Sequence, residues 1–125
     1  MHDPPLPAEI IAAVTRFLRG TVMVELAGRS AFLARVAANA LDLVTRELAL
    51  GPDFDAAEHA RLTALIGQDG DLETLNAALC EAIEARRITL ASPGLADHLW
   101  ATTLAKLAID QPTYAAYVAA TRAER

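Results

Sequence analysis

Four polar side chains recur at helical spacing within the alanine- and leucine-rich stretch ARVAANALDLVTREL, residues 34–48. They are Arg35, Asn39, Asp42 and Arg46, and on a helix they would form one continuous row, which we call the polar stripe. A guanidinium can bind a carboxylate or a phosphate, while an amide and a carboxylate can complete a hydrogen-bonded row. The stripe is therefore our candidate functional site, although it offers neither a nucleophile with its base nor a pair of carboxylates.

Three environments are open to the polar stripe: an internal ladder, a surface that meets a protein partner, or a face exposed to water. Large apolar residues surround most of this helix, which favours the internal ladder because little of the helix can then face solvent. On that interpretation, Arg35→Ala would leave the buried partner of Arg35 without its hydrogen bond or ion pair. The melting temperature would then fall by on the order of 10 °C. A surface position would cost only a few degrees, and Arg46→Ala would be mild in every case.

A second use of the cations is ligand binding. Arg35 or Lys106 could hold the carboxylate or phosphate of an acyl chain or small acid that lies between helices. A pocket of about 300 Å³ or more would favour this alternative, and a closed alanine–leucine core would count against it.

The histidines and the cysteine give no metal or catalytic prediction. His2, His59 and His98 lack a second ligand at the spacing of a zinc helix such as H-E-x-x-H. His98 lies beside Trp100, which indicates a packed or rim residue. Cys80 is one step from the apolar face of its helix, with no histidine or basic cluster near it, so we expect a buried, unreactive thiol. We predict no catalytic, metal-binding or cofactor-binding residue.

The charge of the chain argues against two classes of partner. The 125 residues carry a formal net charge of −5, the opposite of what a nucleic-acid phosphate backbone or an anionic membrane attracts. There is no signal-peptide pattern and no run of about 18 apolar residues that could span a membrane. The single cysteine excludes an intrachain disulfide. We therefore expect a cytoplasmic protein without nucleic acid, membrane or cofactor.

The composition of the chain and the positions of its helix-breaking and capping residues together predict an all-α protein. Hydrophobic residues make up 54% of the sequence but aromatic residues only 5%, and alanine, the best helix former, supplies much of the difference. Proline, glycine and capping residues divide the chain into five to six helices with short connections, which is typical of a helical bundle. We predict a single helical domain at 1–125, with an extended lead-in at 1–6, a frayed tail at 121–125 and a long central helix at about 29–50.

Local signals set the predicted helix ends. Gly51 and Pro52 stop the long helix, and Asp55 with Glu58 has the spacing of a capping box for the next one. Asp71 is a further cap. The segment TVMVEL at 21–26 is ambiguous, and we assign it as helix. The other predicted helices cover about 7–20, 55–67, 71–86, 92–109 (starting at Ser92–Pro93) and 113–125.

Four segments resemble one protein family. They are RVAANAL (35–41), REL.LG (46–51), LNAALC.AI (75–83) and KLAIDQPTY (106–114), and the similarity extends over nearly the whole chain. As a set they resemble a family of small all-helical bacterial proteins of unknown function, commonly found beside aminoglycoside-phosphotransferase-like kinases and acyl-CoA dehydrogenases. The resemblance implies an accessory role in acyl-CoA or hydroxyacyl metabolism and supplies no catalytic residue. The family more often has Asn where this chain has Asp110.

These observations lead to one hypothesis and one alternative. The hypothesis is a non-enzymatic interaction protein that docks on a kinase-like or acyl-CoA dehydrogenase-like partner. We also expect a homodimer, since alanine-rich helical surfaces can pair through close backbone approach. The alternative is a helical bundle that binds an acyl chain or small acid through Arg35 or Lys106.

Overall fold

The structure is a computed structural model, and it describes residues 3–123. These residues form helices and no strand, so the predicted all-α class is confirmed. Within TVMVEL, residues 21–25 are helical, as predicted, whereas Leu26 is extended. In chain order the elements are α1 (Pro7–Phe17), a π-helical segment (Leu18–Val22), α2 (Met23–Glu25), α3 (Gly28–Ile66), α4 (Leu72–Glu84), α5 (Leu95–Asp110) and α6 (Ala115–Ala123).

Helix α1 begins where the sequence indicates. Pro7 takes the first helical position, where its missing N–H leaves no carbonyl unpaired. The preceding N–H, that of Leu6, donates to Oε2 of Glu9 over 2.6 Å, so the first turn is closed by a side chain. Residues 3–6 precede the helix; residues 1–2 and 124–125, parts of the predicted lead-in and tail, lie outside the described residues.

The long helix α3 extends well past its predicted end. It continues through Gly51 and Pro52 for 39 residues, so the predicted stop, and with it the capping box of Asp55 and Glu58, is wrong. The physical reason is that a proline removes only one helical hydrogen bond, the one that an N–H at this position would donate to the carbonyl of Leu48. Good helix formers lie a few residues away on both sides, at 46–50 and 56–58, and the helix continues between them.

The end of α3 and the start of α4 follow local rules. Gly67 adopts φ of 72°, the left-handed conformation that terminates helices, and its N–H donates to the Thr63 carbonyl. Asp71 then caps α4 as predicted, because its Oδ1 accepts from the N–H of Thr74 over 2.8 Å. That bond lowers the pKa of the Asp71 carboxyl below its ordinary value, since it stabilises the charged form.

The predicted start of α5 is wrong by a few residues. Ser92 does not cap the helix; its Oγ accepts from the N–H of Thr89 and closes a turn of the connection. The helix starts at Leu95, after Gly94 with φ of 87°. A Cβ added at Gly94 would lie 3.3 Å from Cδ2 of Leu65, so both the backbone angle and the close approach favour glycine here.

The chain divides into two compact units: the first contains residues up to Ala49 and the second those from Leu50. In residues 3–49 only Ala34 and Ala38 are buried. The second unit has a leucine core formed by Leu62 of α3, Leu75 and Leu79 of α4 and Leu95 at the start of α5. The single domain at 1–125 stays a prediction.

Pro52→Ala should stabilise the protein, because alanine restores the missing helical donor inside a continuous α3. Allowing for the flexibility that alanine adds to the unfolded chain, we expect a net gain of about 1–2 kcal/mol, or on the order of 5–10 °C in melting temperature. Thermal melts followed by far-ultraviolet circular dichroism would measure it. Pro93→Ala is the matched control, since Pro93 lies outside any helix. An unchanged melting temperature for Pro52→Ala would mean that the helix is interrupted at this point in solution.

Candidate functional site

The polar stripe lies entirely on the first half of α3. Arg35 and Asn39 are exposed, whereas Asp42 and Arg46 are half-buried. The internal ladder that the sequence favoured is therefore wrong for Arg35 and Asn39. It failed because the apolar residues that surround the helix are themselves largely exposed, so they do not exclude solvent from the stripe. The role of the stripe as a partner surface stays a prediction.

A residue that sequence analysis missed organises the stripe. Arg19, in the π-helical segment, donates through Nη2 to Oδ1 of Asn39 over 3.1 Å and forms an ion pair with Oδ2 of Asp42. These partners are 20 and 23 residues away along the chain. Helical periodicity reports only neighbours within one helix, so no local pattern could select Arg19 among the 11 Lys and Arg residues.

The first unit also carries two apolar strips on exposed helix faces. On α1 the strip has residues spaced four, four and three apart, and on α3 four and seven apart, so each lies on one helix face. All of their side chains are more than one third exposed. The α1 strip consists of Leu6 (just before the helix), Ile10, Val14 and Phe17, and the α3 strip of Phe32, Val36 and Leu43.

The two predicted ligand contacts lie in different units. Arg35 is on the first half of α3 and Lys106 is on α5, and both are exposed. Their ligand role stays a prediction.

Cys80 is exposed, so the prediction of a buried thiol is wrong. On α4 the core is formed by Leu75, Leu79 and Ala82, and Cys80, one residue after Leu79, is turned by about 100° away from it. His59 is half-buried, and its Nε2 lies 2.8 Å from the Gly70 carbonyl, which ties α3 to the turn before α4. His2 lies outside the described residues.

His98 is the buried polar residue of the second unit, with 2% of its surface exposed, in agreement with its predicted packed position. Burial lowers the pKa of the imidazole, the neighbouring Arg61 guanidinium lowers it further, and Glu58 opposes both. The Nδ1 atom of His98 is buried without a hydrogen-bond partner. Glu58 accepts a hydrogen bond from Nδ2 of Asn76 over 2.9 Å, and Arg61 reaches Oγ1 of Thr102 at 3.5 Å.

The described part of the chain contains neither a metal-binding cluster nor a membrane-spanning helix. No group of three or more His, Cys, Asp or Glu side chains in residues 3–123 is placed to hold a metal ion. Within the same residues, no helix combines the length and the apolar character needed to cross a bilayer.

The described residues define an all-α protein with a polar stripe bound by Arg19, exposed apolar strips, and a buried histidine near a partly buried arginine. A family model, DUF6285, a domain of unknown function, matches residues 24–114, and the chain belongs to that family. No curated protein and no solved structure matches it. The matched range includes the whole polar stripe, His98 and Arg61, whereas Arg19 and α1 precede it. The expected family of unknown function is thus confirmed, and its kinase and dehydrogenase neighbours stay a prediction.

Arg35→Ala should change the melting temperature by less than about 3 °C, because the side chain is exposed. Arg19→Ala should cost more, up to about 1 kcal/mol, since it breaks an ion pair whose side chains are 43% and 41% exposed. Thermal melts of both variants, with Asp42→Ala and the Arg19→Ala/Asp42→Ala double variant, would isolate the coupling between the pair. If Arg35→Ala instead lowered the melting temperature by 10 °C, the result would support the internal-ladder interpretation.

The lowered pKa of His98 predicts a pH dependence of stability. The unfolded chain binds a proton near the ordinary value of 6.5, whereas the folded protein resists it, so the free energy of unfolding falls as the pH drops below about 6.5. His98→Gln should flatten this dependence. Urea denaturation from pH 7.5 down to pH 5 would measure the slope. Leu79→Ala is the control, because it should lower stability at every pH without changing the slope. An unaltered slope in His98→Gln would contradict the assignment.

Proposed function

We propose that the protein is a non-enzymatic helical interaction protein, and that it docks on a protein partner through the apolar strips and the polar stripe of its first unit. One observation carries the proposal: residues 3–49 bury only two alanines and leave most of their large apolar side chains more than one third exposed. Clustered exposed apolar side chains mark interaction sites in soluble proteins when they form a large patch.

The α3 strip has the composition of an interface centre. Phe32 is 60% exposed, and Val36 and Leu43 fall within about 40° of it around the helix. Aromatic side chains are enriched at the centres of protein interfaces, and residues there contribute most where they become fully desolvated on binding. Phe32 is therefore the first candidate for an anchor residue.

The polar stripe borders the α3 strip and fits the rim of the same interface. At 100° per residue, Asn39 lies about 20° from Phe32 around the helix, and the rest of the stripe continues on the same side. Interfaces commonly combine an apolar centre with a polar, solvent-accessible rim. Arg19 strengthens this assignment, because it holds Asn39 and Asp42 in fixed positions and so reduces the entropy that docking would cost.

The partner we propose is a kinase-like or acyl-CoA dehydrogenase-like protein in the cytoplasm, as the family resemblance implies. A second copy of this chain is the other partner that could bind the same surface, consistent with the expected homodimer. The alternative function, ligand binding at Arg35 or Lys106, gains less support. Both side chains are exposed and lie in different units, and a cleft of about 390 Å³ in the second unit is lined by neither of them. An enzymatic role is not proposed, since the polar stripe lacks the groups for nucleophilic catalysis.

Phe32→Ser and Phe17→Ser should each weaken docking by about tenfold or more, the range of a moderate anchor residue. The melting temperature should change little, because Phe32 and Phe17 are 60% and 57% exposed. Self-association would be measured by light scattering, and partner binding by titration of purified kinase-like and dehydrogenase-like candidates. Leu90→Ser is the matched control: Leu90 is 74% exposed but lies in the second unit.

The results of these measurements distinguish the two partners that could bind the docking surface of the first unit. Loss of dimer in the phenylalanine variants alone identifies a second copy, and loss of heterologous binding alone identifies the other partner. A wild-type protein that stays monomeric at high concentration and binds none of the candidates would contradict the proposal, as would equal losses in Leu90→Ser.

A further inference from the structure

The second unit contains an open cleft of about 390 Å³ whose walls come from one face each of α3, α5 and α6. This volume lies within the usual range of about 300–1,000 Å³ for ligand pockets. The walls are largely apolar, and the space exists because four of the lining residues are alanines. The lining side chains are Phe54, Ala57, Arg61, Ala101, Leu104, Ala105, Ala108, Tyr117 and Thr121.

Arg61 is the charged residue of this cleft wall, and its hydrogen-bonding capacity is largely unused. Its Nε atom is buried without a hydrogen-bond partner. Its one hydrogen bond to a described residue, to Oγ1 of Thr102, is long at 3.5 Å, and no carboxylate among residues 3–123 lies within ion-pair distance. A guanidinium carries five hydrogen-bond donors. Burying part of it without an acidic partner costs free energy unless an anion accepts those hydrogen bonds.

A structural role for Arg61 does not account for this arrangement. A structural arginine normally binds a carboxylate or several carbonyls, and the acid one turn before it, Glu58, is hydrogen-bonded to Asn76 instead. The other neighbouring titratable group, His98, is neutral or cationic and supplies no negative charge; burial lowers its pKa, and Arg61 lowers it further. Among residues 3–123, therefore, no carboxylate is in ion-pair contact with Arg61, although Glu58 lies one turn away.

We infer that this cleft binds an amphipathic anion, whose single carboxylate or phosphate pairs with Arg61 and whose apolar body lies against the alanine-rich faces of α3 and α5. Guanidinium forks bind such head groups through two parallel hydrogen bonds, and these bonds are stronger in an apolar surrounding than in water. The cleft lies wholly in the second unit, so this inference does not depend on the docking surface proposed for the first.

The composition of a neighbouring cleft provides an internal comparison. Residues of α3, α4 and the following loop form a second cleft, which carries Arg87 together with Gln68 and Glu81. Arg87 is exposed and shares its cleft with the acid Glu81, whereas no acid lines the cleft of Arg61. Arg87→Gln is therefore a charge-matched control for Arg61→Gln.

The test uses the 125-residue chain and three probes that share an alkyl tail and differ in their head group: octanoate, octyl phosphate and 1-octanol. Amide chemical-shift titrations in solution would give both the affinity and the location of binding. We expect saturable shifts at Ala101, Ala105 and Tyr117, with the better anion bound about tenfold or more tightly than octanol. Arg61→Gln should reduce anion binding to the level of octanol, whereas Arg87→Gln should leave it unchanged.

A steric variant keeps the inference testable if Arg61→Gln perturbs the fold. Ala105→Leu fills the cleft and should abolish binding of all three probes with the spectrum otherwise intact. Tighter binding of octanoate identifies a carboxylate ligand, and tighter binding of octyl phosphate identifies a phosphate. Equal affinity for octanol and both anions, shifts confined to other surfaces, or the same loss in Arg87→Gln as in Arg61→Gln would each overturn the inference.

Discussion

The contact of Leu62 with Leu75, Leu79 and Leu95 is the interaction on which the second unit depends. Leu62 and Leu75 are completely buried, and they join α3, α4 and the start of α5 into one core. Burial of each such side chain contributes roughly 1.5–3 kcal/mol relative to exposure, which is enough to fix the helices around it. Because residues one position apart on a helix point about 100° apart, fixing Leu62 in the core also directs the adjacent Arg61 to another face, where it lines the cleft.

The first unit has no comparable core. Its buried residues within the described range are Ala34 and Ala38, whose side chains are too small to contribute much by burial. The ion pair of Arg19 with Asp42 is about two fifths exposed on each side and cannot replace that contribution. Apolar side chains that would form a core in another protein remain on the surface here. A partner that covered these side chains would stabilise the first unit, and this is the reason that we propose docking there.

Some features that depend on neighbouring residues could be predicted from the sequence, whereas those that depend on distant residues could not. Asp71 was identified as a helix cap because its hydrogen bond to Thr74 spans three residues. The Gly51–Pro52 stop was wrong because the same dipeptide can be tolerated when the helix on both sides is strong. The environment of the candidate site required tertiary information: Arg19 joins the polar stripe across 20 and 23 residues, and Arg61 is 41 residues from Thr102. Nothing in the local sequence distinguishes Arg61 from the exposed Arg35 that we selected.

Alanine accounts for both the simplicity of the fold and the location of the cleft. It favours helix at nearly every position and buries little surface, so the class of the fold is evident while the packing partners are not. Where leucines meet, as around Leu62, the space between helices is filled. Where alanines face one another, as Ala57, Ala101 and Ala105 do, the same helix framework leaves a volume open. Arg61, at the edge of this volume, is partly buried, yet no acid among the described residues forms an ion pair with it. The residue types that make the chain helical thus also determine where it has room for a ligand.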